Sequence, residues 1–358
     1  MLDFKFQQTT AQHCCLRETF FAVDAGGDVW RDQRFNFLRE KNKSNQWDPG
    51  CSNCEFLEKS KLLSFRQGMN QGLGIHGQTD LTGPSRIDLM FDISCNLACR
   101  TCGVESSTFW QRHLKDHGLW PDAITPQSNK EEVINTLSRL DLSNLRQLVF
   151  CGGETLLGNE YWAVAQWLAD NVPDAKKNLT LCFQTNGTQK IPTKNYPIIE
   201  KFHLVKLNIS LDGVAEQFEY LRWPAGWTST VNNLLDLKQN LPSNVMFVIE
   251  ETISIFNLAY TSRLQDWTNA MFDSNRQGDF TNHTRHLAMG IFSLNNCSAE
   301  YVEAMRKTPY FNLIPGNWQE NTLNIQHMIE QIKQFDSLRG ENFKTTFSEV
   351  AGYYARFL

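Results

Sequence analysis

The stretch that most constrains this chain runs from Arg86 to Trp110, RIDLMFDISCNLACRTCGVESSTFW. Residues 87–93 form an apolar run of strand type. It leads into a loop carrying Cys95, Cys99 and Cys102 in a C-x3-C-x2-C spacing, after which a helix-like segment begins. Three thiolates this close in sequence can hold three corners of an iron–sulfur cube, leaving the fourth iron without a protein ligand. The same spacing has two plainer readings, a structural zinc site or three unliganded core cysteines. Zinc usually takes a C-x2-C pair with a second pair far away.

Downstream, strand-like runs at 145–150, 179–185, 204–210, 245–250 and 287–294 alternate with helical candidates at 129–140, 161–169 and 230–239. With the run at 87–93 this makes six strands, and strands alternating with helices predict a parallel sheet covered by helices. Three short motifs stand at predicted strand ends: Gly152-Gly153-Glu154, Thr185-Asn186-Gly187 and Ser210-Leu211-Asp212-Gly213. Each alone reads as a turn, since Gly-Gly, Asn-Gly and Asp-Gly are turn signals. Their order and spacing behind the cysteine loop are what make them informative.

Together the loop and the three motifs resemble the radical S-adenosylmethionine (SAM) superfamily. The chain departs at Thr101, where relatives carry an aromatic residue, and at Thr155, where they usually carry proline. The resemblance implies an α/β fold, a partial (β/α)6 barrel, over residues 86–298. It further implies a catalytic 4Fe–4S cluster on Cys95, Cys99 and Cys102. The open iron would chelate SAM, and reductive cleavage would yield a 5′-deoxyadenosyl radical. Gly152, Gly153, Glu154, Thr185, Asn186, Ser210 and Asp212 would then lie around that cofactor, with Glu250 at the end of the fifth strand. Arg222, in Tyr220-Leu221-Arg222-Trp223-Pro224, reads either as a clamp on a carboxylate or carbonyl or as half of a surface ion pair.

The first 85 residues do not read as βα units. Residues 20–23 and 28–30 flank a turn at Asp24-Ala25-Gly26-Gly27 and predict a β-hairpin. Pro49-Gly50-Cys51-Ser52-Asn53-Cys54 is a knuckle of metal-binding type that Cys14 or Cys15 could complete, or else a zinc knuckle or a pair of reduced thiols. Residues 1–85 also resemble a twitch module, a shortened SPASM-like domain, through the hairpin, Cys51-x2-Cys54, Glu58 and Ser64-x-Arg66. That resemblance implies an auxiliary iron–sulfur cluster. Residues 299–358 read as a helical C-terminal segment, in which Ile325, Met328, Ile329, Ile332 and Phe335 have helical spacing. Phe335-Asp336-x2-Arg339-Gly340 resembles a stretch found in some twitch-bearing relatives.

Composition narrows the class. Of 358 residues 41% are hydrophobic and 20% charged, which suits a folded chain with a large core. A net charge of −5 provides no basic field for nucleic acid, and no run is apolar enough for a membrane span. Ten cysteines without a signal peptide suit metal sites in the cytoplasm better than a disulfide framework. Cys297, expected just past the sixth strand, is the candidate accessible thiol. The activity expected from the resemblance is hydrogen abstraction from a ribosomally made peptide, fed by an electron donor such as flavodoxin or ferredoxin. A small-molecule substrate and a non-catalytic, zinc-stabilised binding protein are the alternatives.

Overall fold

Nine strands, β1 (Asp3–Gln7), β2 (Thr10–Gln12), β3 (Phe21–Ala22), β4 (Arg86–Met90), β5 (Gln147–Cys151), β6 (Thr180–Thr185), β7 (Leu204–Ser210), β8 (Val245–Ile253) and β9 (Asn282–Leu287), form one sheet among the described residues. Its order is β3-β2-β1-β4-β5-β6-β7-β8-β9. The computed structural model describes residues 3–7, 10–12, 21–22, 33–44, 46–74, 82–119, 130–272 and 282–358. Strands β4 to β9 pair in parallel and in sequence order. Parallel neighbours need crossovers, and helices Lys130–Leu137, Glu160–Asn171, Trp227–Asn240 and Thr261–Met271 supply most of them. This six-stranded parallel unit with flanking helices is consistent with a partial (β/α)6 barrel.

Alternation along the strands divides the sheet into two chemically different faces. Leu148, Phe150, Leu181, Phe183, Leu207, Ile209 and Ile249 point to one face and are buried with Val164, Ala165, Leu168, Leu234 and Leu264 of the crossover helices. Tyr161, Val164, Ala165 and Leu168 recur at the spacing of one helical face, which is why that helix lies flat on the strands. The other face is polar. Arg86 donates to Asp88 at 2.8 Å and to Gln147 at 3.1 Å, Gln147 to the Cys182 sulfur at 3.2 Å, and Asn208 to Glu250 at 3.0 Å. These groups are tolerated there because they pair with one another.

Several boundaries differ from the sequence expectation. The sixth strand is Asn282–Leu287, whereas residues 290–296 turn through two short 3-10 segments. The apolar run at 287–294 places Phe292 and Leu294 in a second core instead, while the true strand reads NHTRHL because it sits at the sheet edge. The fifth strand continues to Ile253, so Glu250 lies within it and not at its end. At the N-terminus β1 pairs in parallel with β4, and Phe21–Ala22 pairs antiparallel with β2. The segment thereby extends the parallel sheet. Its expected hairpin turn, the residues 28–30, and Cys14 and Cys15 lie outside the described residues.

The second core is C-terminal. Ile325, Met328, Ile329 and Ile332 of helix Thr322–Arg339 pack with Phe256, Phe292, Phe343, Phe347 and Val350. Arg100, on the cysteine loop and only 1% exposed, ties this core to the first. Its Nη2 donates to Asp336 and Glu341 at 2.6 Å each, and its guanidinium lies 3.9 Å over the Tyr220 ring. Tyr220 also donates to Asp336 at 2.8 Å. Truncating one member of a buried ion pair costs about 3–5 kcal/mol because the remaining charge is stranded. Arg100→Ala is therefore expected to lower the unfolding free energy by about that amount in a denaturant titration, well beyond a surface Arg→Ala control.

Candidate functional site

The site forms where the parallel strands end. Cys95, Cys99 and Cys102 follow β4, Gly152-Gly153-Glu154 follows β5, and Thr185-Asn186 closes β6. The structure brings the first, second and third of these motifs into direct contact. Glu154 accepts from the Thr185 hydroxyl at 2.7 Å, from the Asn186 N–H at 2.6 Å and from the Leu156 N–H at 3.0 Å. It is 2% exposed, and burial pushes its carboxyl above the usual range while those three donors oppose the shift.

The two glycines are required by the loop lying against them. Gly153 donates to the Asp92 carbonyl at 3.2 Å and Glu154 to the Ser94 carbonyl at 2.7 Å. A Cβ on Gly152 would overlap the Asp92 carbonyl oxygen, and one on Gly153 would overlap Ser94. Gly152 also has φ +126°, a conformation open to glycine and rarely to others. The Gly-Gly pair thus sets how closely the strand end approaches the cysteine loop.

The cysteine loop is irregular backbone, and other elements satisfy it. Ala98 N–H donates to Trp223 and Arg100 N–H to Leu221, both at 2.8 Å. The Ala98 carbonyl accepts from Arg339 at 2.9 Å, the Cys99 carbonyl from the Trp110 indole at 2.9 Å, and the Leu97 carbonyl from Ser107 at 2.5 Å. Ser107 additionally caps helix Thr108–Asp116 by accepting from Phe109 and Trp110. Arg339 is stacked over Trp110 and Trp223, at 4.5 and 4.9 Å from the ring centres.

All three cysteines of the loop are free thiols, with Cys99 buried, Cys95 half-buried and Cys102 exposed. Donors face two of the sulfurs: Arg222 Nη1 lies 3.9 Å from Cys99 Sγ and Asn186 Nδ2 4.0 Å from Cys95 Sγ. A hydrogen bond from Cys102, helped by the Arg222 charge, holds the Cys99 thiol down at about 7. The same bond drives Cys102 well above the usual thiol range, and burial raises Cys95 to about 11. Among the described residues no three His, Cys, Asp or Glu side chains converge as they would around a single metal ion. By chemistry alone, three thiols on one loop with N–H donors toward two of the sulfurs are a donor set an iron–sulfur cube can use.

Other expected site residues have different surroundings. Asp212 is fully buried, accepts from the Thr252 N–H at 2.8 Å and lies 2.7 Å from Arg222 Nε. Its carboxylate lies against the Arg222 guanidinium. Arg222, 7% exposed, is accordingly no surface ion pair. Ser210 is half-buried and pairs in register with Glu250, whose carboxylate accepts from Asn208 and, at 3.4 Å, from Gln184. Cys297 is not accessible: it is fully buried in the C-terminal core, where burial raises its thiol to about 12. Cys51 closes the 3-10 turn Pro49–Cys51 and Cys54 lies buried in helix Ser52–Lys59. Nearby, Glu58 accepts from Ser64 at 2.6 Å and from Arg66 at 2.6 and 3.0 Å. The sequence offered little sign of the clamp formed by Arg100, Asp336, Arg339 and Glu341, apart from the short stretch at 335–340.

No family model matches the chain, and no curated protein matches it. Among solved structures it is similar to anSMEcpe with bound AdoMet and the Cp18Cys peptide, at 16% identity and a TM-score of 0.40, over 72% of this chain and 62% of that one. It is similar also to SuiB of Streptococcus suis bound to S-adenosylmethionine, at 10% identity and a TM-score of 0.40, over 90% and 64%. For SuiB bound to the precursor peptide SuiA the values are 11%, 0.40, 88% and 64%. The chain spans less than two thirds of the length of each of these proteins.

Two outcomes are expected from this geometry. Gly153→Ala forces the Ser94 backbone away at a cost of about 1–3 kcal/mol, so a denaturant titration should show that loss of unfolding free energy while the far-UV circular dichroism of the native protein stays unchanged. Cys297 should resist alkylation at pH 8 in the native protein and react fully once the chain is denatured, as read by peptide mass mapping.

Proposed function

We propose that this chain is a radical SAM enzyme that abstracts hydrogen from a ribosomally made peptide. The observation that carries the reading is the cysteine loop itself. Three free thiols in C-x3-C-x2-C spacing follow the first parallel strand of the barrel sheet, with N–H donors turned toward two of the sulfurs. In this reading Cys95, Cys99 and Cys102 hold a 4Fe–4S cluster. When bound, the cluster and SAM supply reductive C–S cleavage and a carbon-centred radical.

The protein's own share is to bind, orient and exclude water. Glu154 keeps an acceptor, oriented by Thr185 and the Asn186 backbone, for a cationic group such as the ammonium of SAM. Asn186 is held in turn by its side chain, which donates to Asn96 at 2.9 Å and accepts from the Thr188 N–H at 3.0 Å. Ser210 and Glu250 stand on neighbouring strands and would meet the rest of the cofactor. The polar face built from Arg86, Asp88, Gln184, Asn208 and Glu250 is where the substrate would lie.

An auxiliary cluster belongs to the same proposal. Arg86, at the start of β4, donates to the Met69 sulfur at 3.6 Å, so helix Phe65–Gly72 docks at the strand end opposite the cysteine loop. Cys51 and Cys54, in the helical segment just before it, would bring an auxiliary iron–sulfur site toward that end of the sheet, its remaining ligands being Cys14, Cys15, a non-cysteine group or substrate.

Iron and sulfide content of anaerobically reconstituted protein tests both parts. Two cubic clusters predict about eight irons, falling to about four in the Cys95/Cys99/Cys102 triple alanine variant. About four falling to none would remove the auxiliary site and keep the catalytic one. Zinc without iron, or no 5′-deoxyadenosine from SAM and dithionite in a fully loaded protein, would sink the radical reading.

A further inference from the structure

The backbone bonds of the cysteine loop place one cation against one sulfur. Ala98 pairs with Trp223 and Arg100 with Leu221, each through a single hydrogen bond donated by the loop. Between those two bonds lie Cys99 on the loop and Arg222, the residue that ends helix Ala215–Leu221. Arg222 Nη1 lies 3.9 Å from Cys99 Sγ.

The cation is also prevented from leaving. Its Nε lies 2.7 Å from Asp212 Oδ2, while Asp212 Oδ1 accepts from the Thr252 N–H at 2.8 Å. Asn257 fixes the same corner by donating to the Asp212 carbonyl and to the Thr252 carbonyl, both at 3.0 Å. Asp212 is fully buried and Arg222 nearly so, and water screens neither charge. Reduction potentials of iron–sulfur clusters depend on hydrogen bonds to their sulfurs, on nearby charge and on burial. All three levers converge on Cys99.

We propose that Arg222 sets the reduction potential of the cluster held by the loop, through an N–H···S bond and an unscreened positive charge at Cys99, with Asp212 as the counter-charge that holds it in place and limits its effect. This rests on the radical SAM reading above. The step concerned is addition of one electron to the cluster from an external one-electron reductant, with no bond formed or broken in the protein. Added negative charge is stabilised by the guanidinium and opposed by the carboxylate. The two residues therefore act on the potential with opposite sign.

The test is an anaerobic redox titration of reconstituted wild type, Arg222→Gln and Asp212→Asn without SAM. The reduced cluster is followed by electron paramagnetic resonance, with iron and sulfide measured on the same samples. Arg222→Gln is expected to shift the midpoint to more negative potential at unchanged iron content, and Asp212→Asn to shift it to more positive potential. A role in folding alone would move neither midpoint, or move both the same way, and either result overturns the proposal. Should Arg222→Gln fail to take up iron, Asp212→Asn decides by itself: an upward shift supports the assignment, and no shift or a downward one defeats it. Wild type that never loads iron would instead defeat the underlying radical SAM reading.

Discussion

The cysteine loop is buried, irregular backbone, and it must find its hydrogen bonds outside itself. An unpaired buried N–H or C=O costs as much as a lost hydrogen bond, so a loop of this kind can sit at a strand end only if its surroundings are built for it. Here the partners come from three directions: Leu221 and Trp223 at the end of a helix, Trp110 and Ser107 just downstream, and Arg339 from the C-terminal helix. The geometry of the three thiols is therefore a property of the whole chain. Removing any of these supports would loosen the thiols before it touched them.

The second constraint is the division of the parallel sheet. One face is continuous Leu, Ile, Val and Phe under helices, as parallel sheets require. The opposite face holds Arg86, Asp88, Gln147, Gln184, Asn208 and Glu250, each hydrogen-bonded to a neighbour on that face. Buried polar groups are tolerated when paired with one another, and they leave a surface that a polar ligand can lie against. The fold and the candidate chemistry are linked through this face.

Much of this was legible in the sequence, and the failures have physical causes. Five of the six parallel strands stand where their apolar runs predicted, because burial by helices demands such runs. The sixth stands elsewhere because its sequence, Asn282–Leu287, is polar: an edge strand has one neighbour, and its His283 and Arg285 meet the buried Glu251 at 3.0 and 3.3 Å. The apolar run at 287–294 serves the second core. Cys297 is buried for the same reason, since the turn that carries it is covered by Tyr301 and Tyr354. The Glu154, Thr185 and Asn186 cluster was legible only as separate motifs.

Short-range chemistry was decided by the sequence alone. The C-x3-C-x2-C spacing brings three thiols onto one loop, the Gly-Gly pair permits close backbone approach, and the 3.6-residue period of helix Thr322–Arg339 selects its buried face. Tertiary structure decided everything that couples distant segments. Arg222 reaches Cys99 across 123 residues and Asp336 reaches Arg100 across 236. A charge pair or a backbone hydrogen bond between such segments leaves no local pattern. It exists only once both hydrophobic cores have condensed and excluded the water that would otherwise solvate each partner separately.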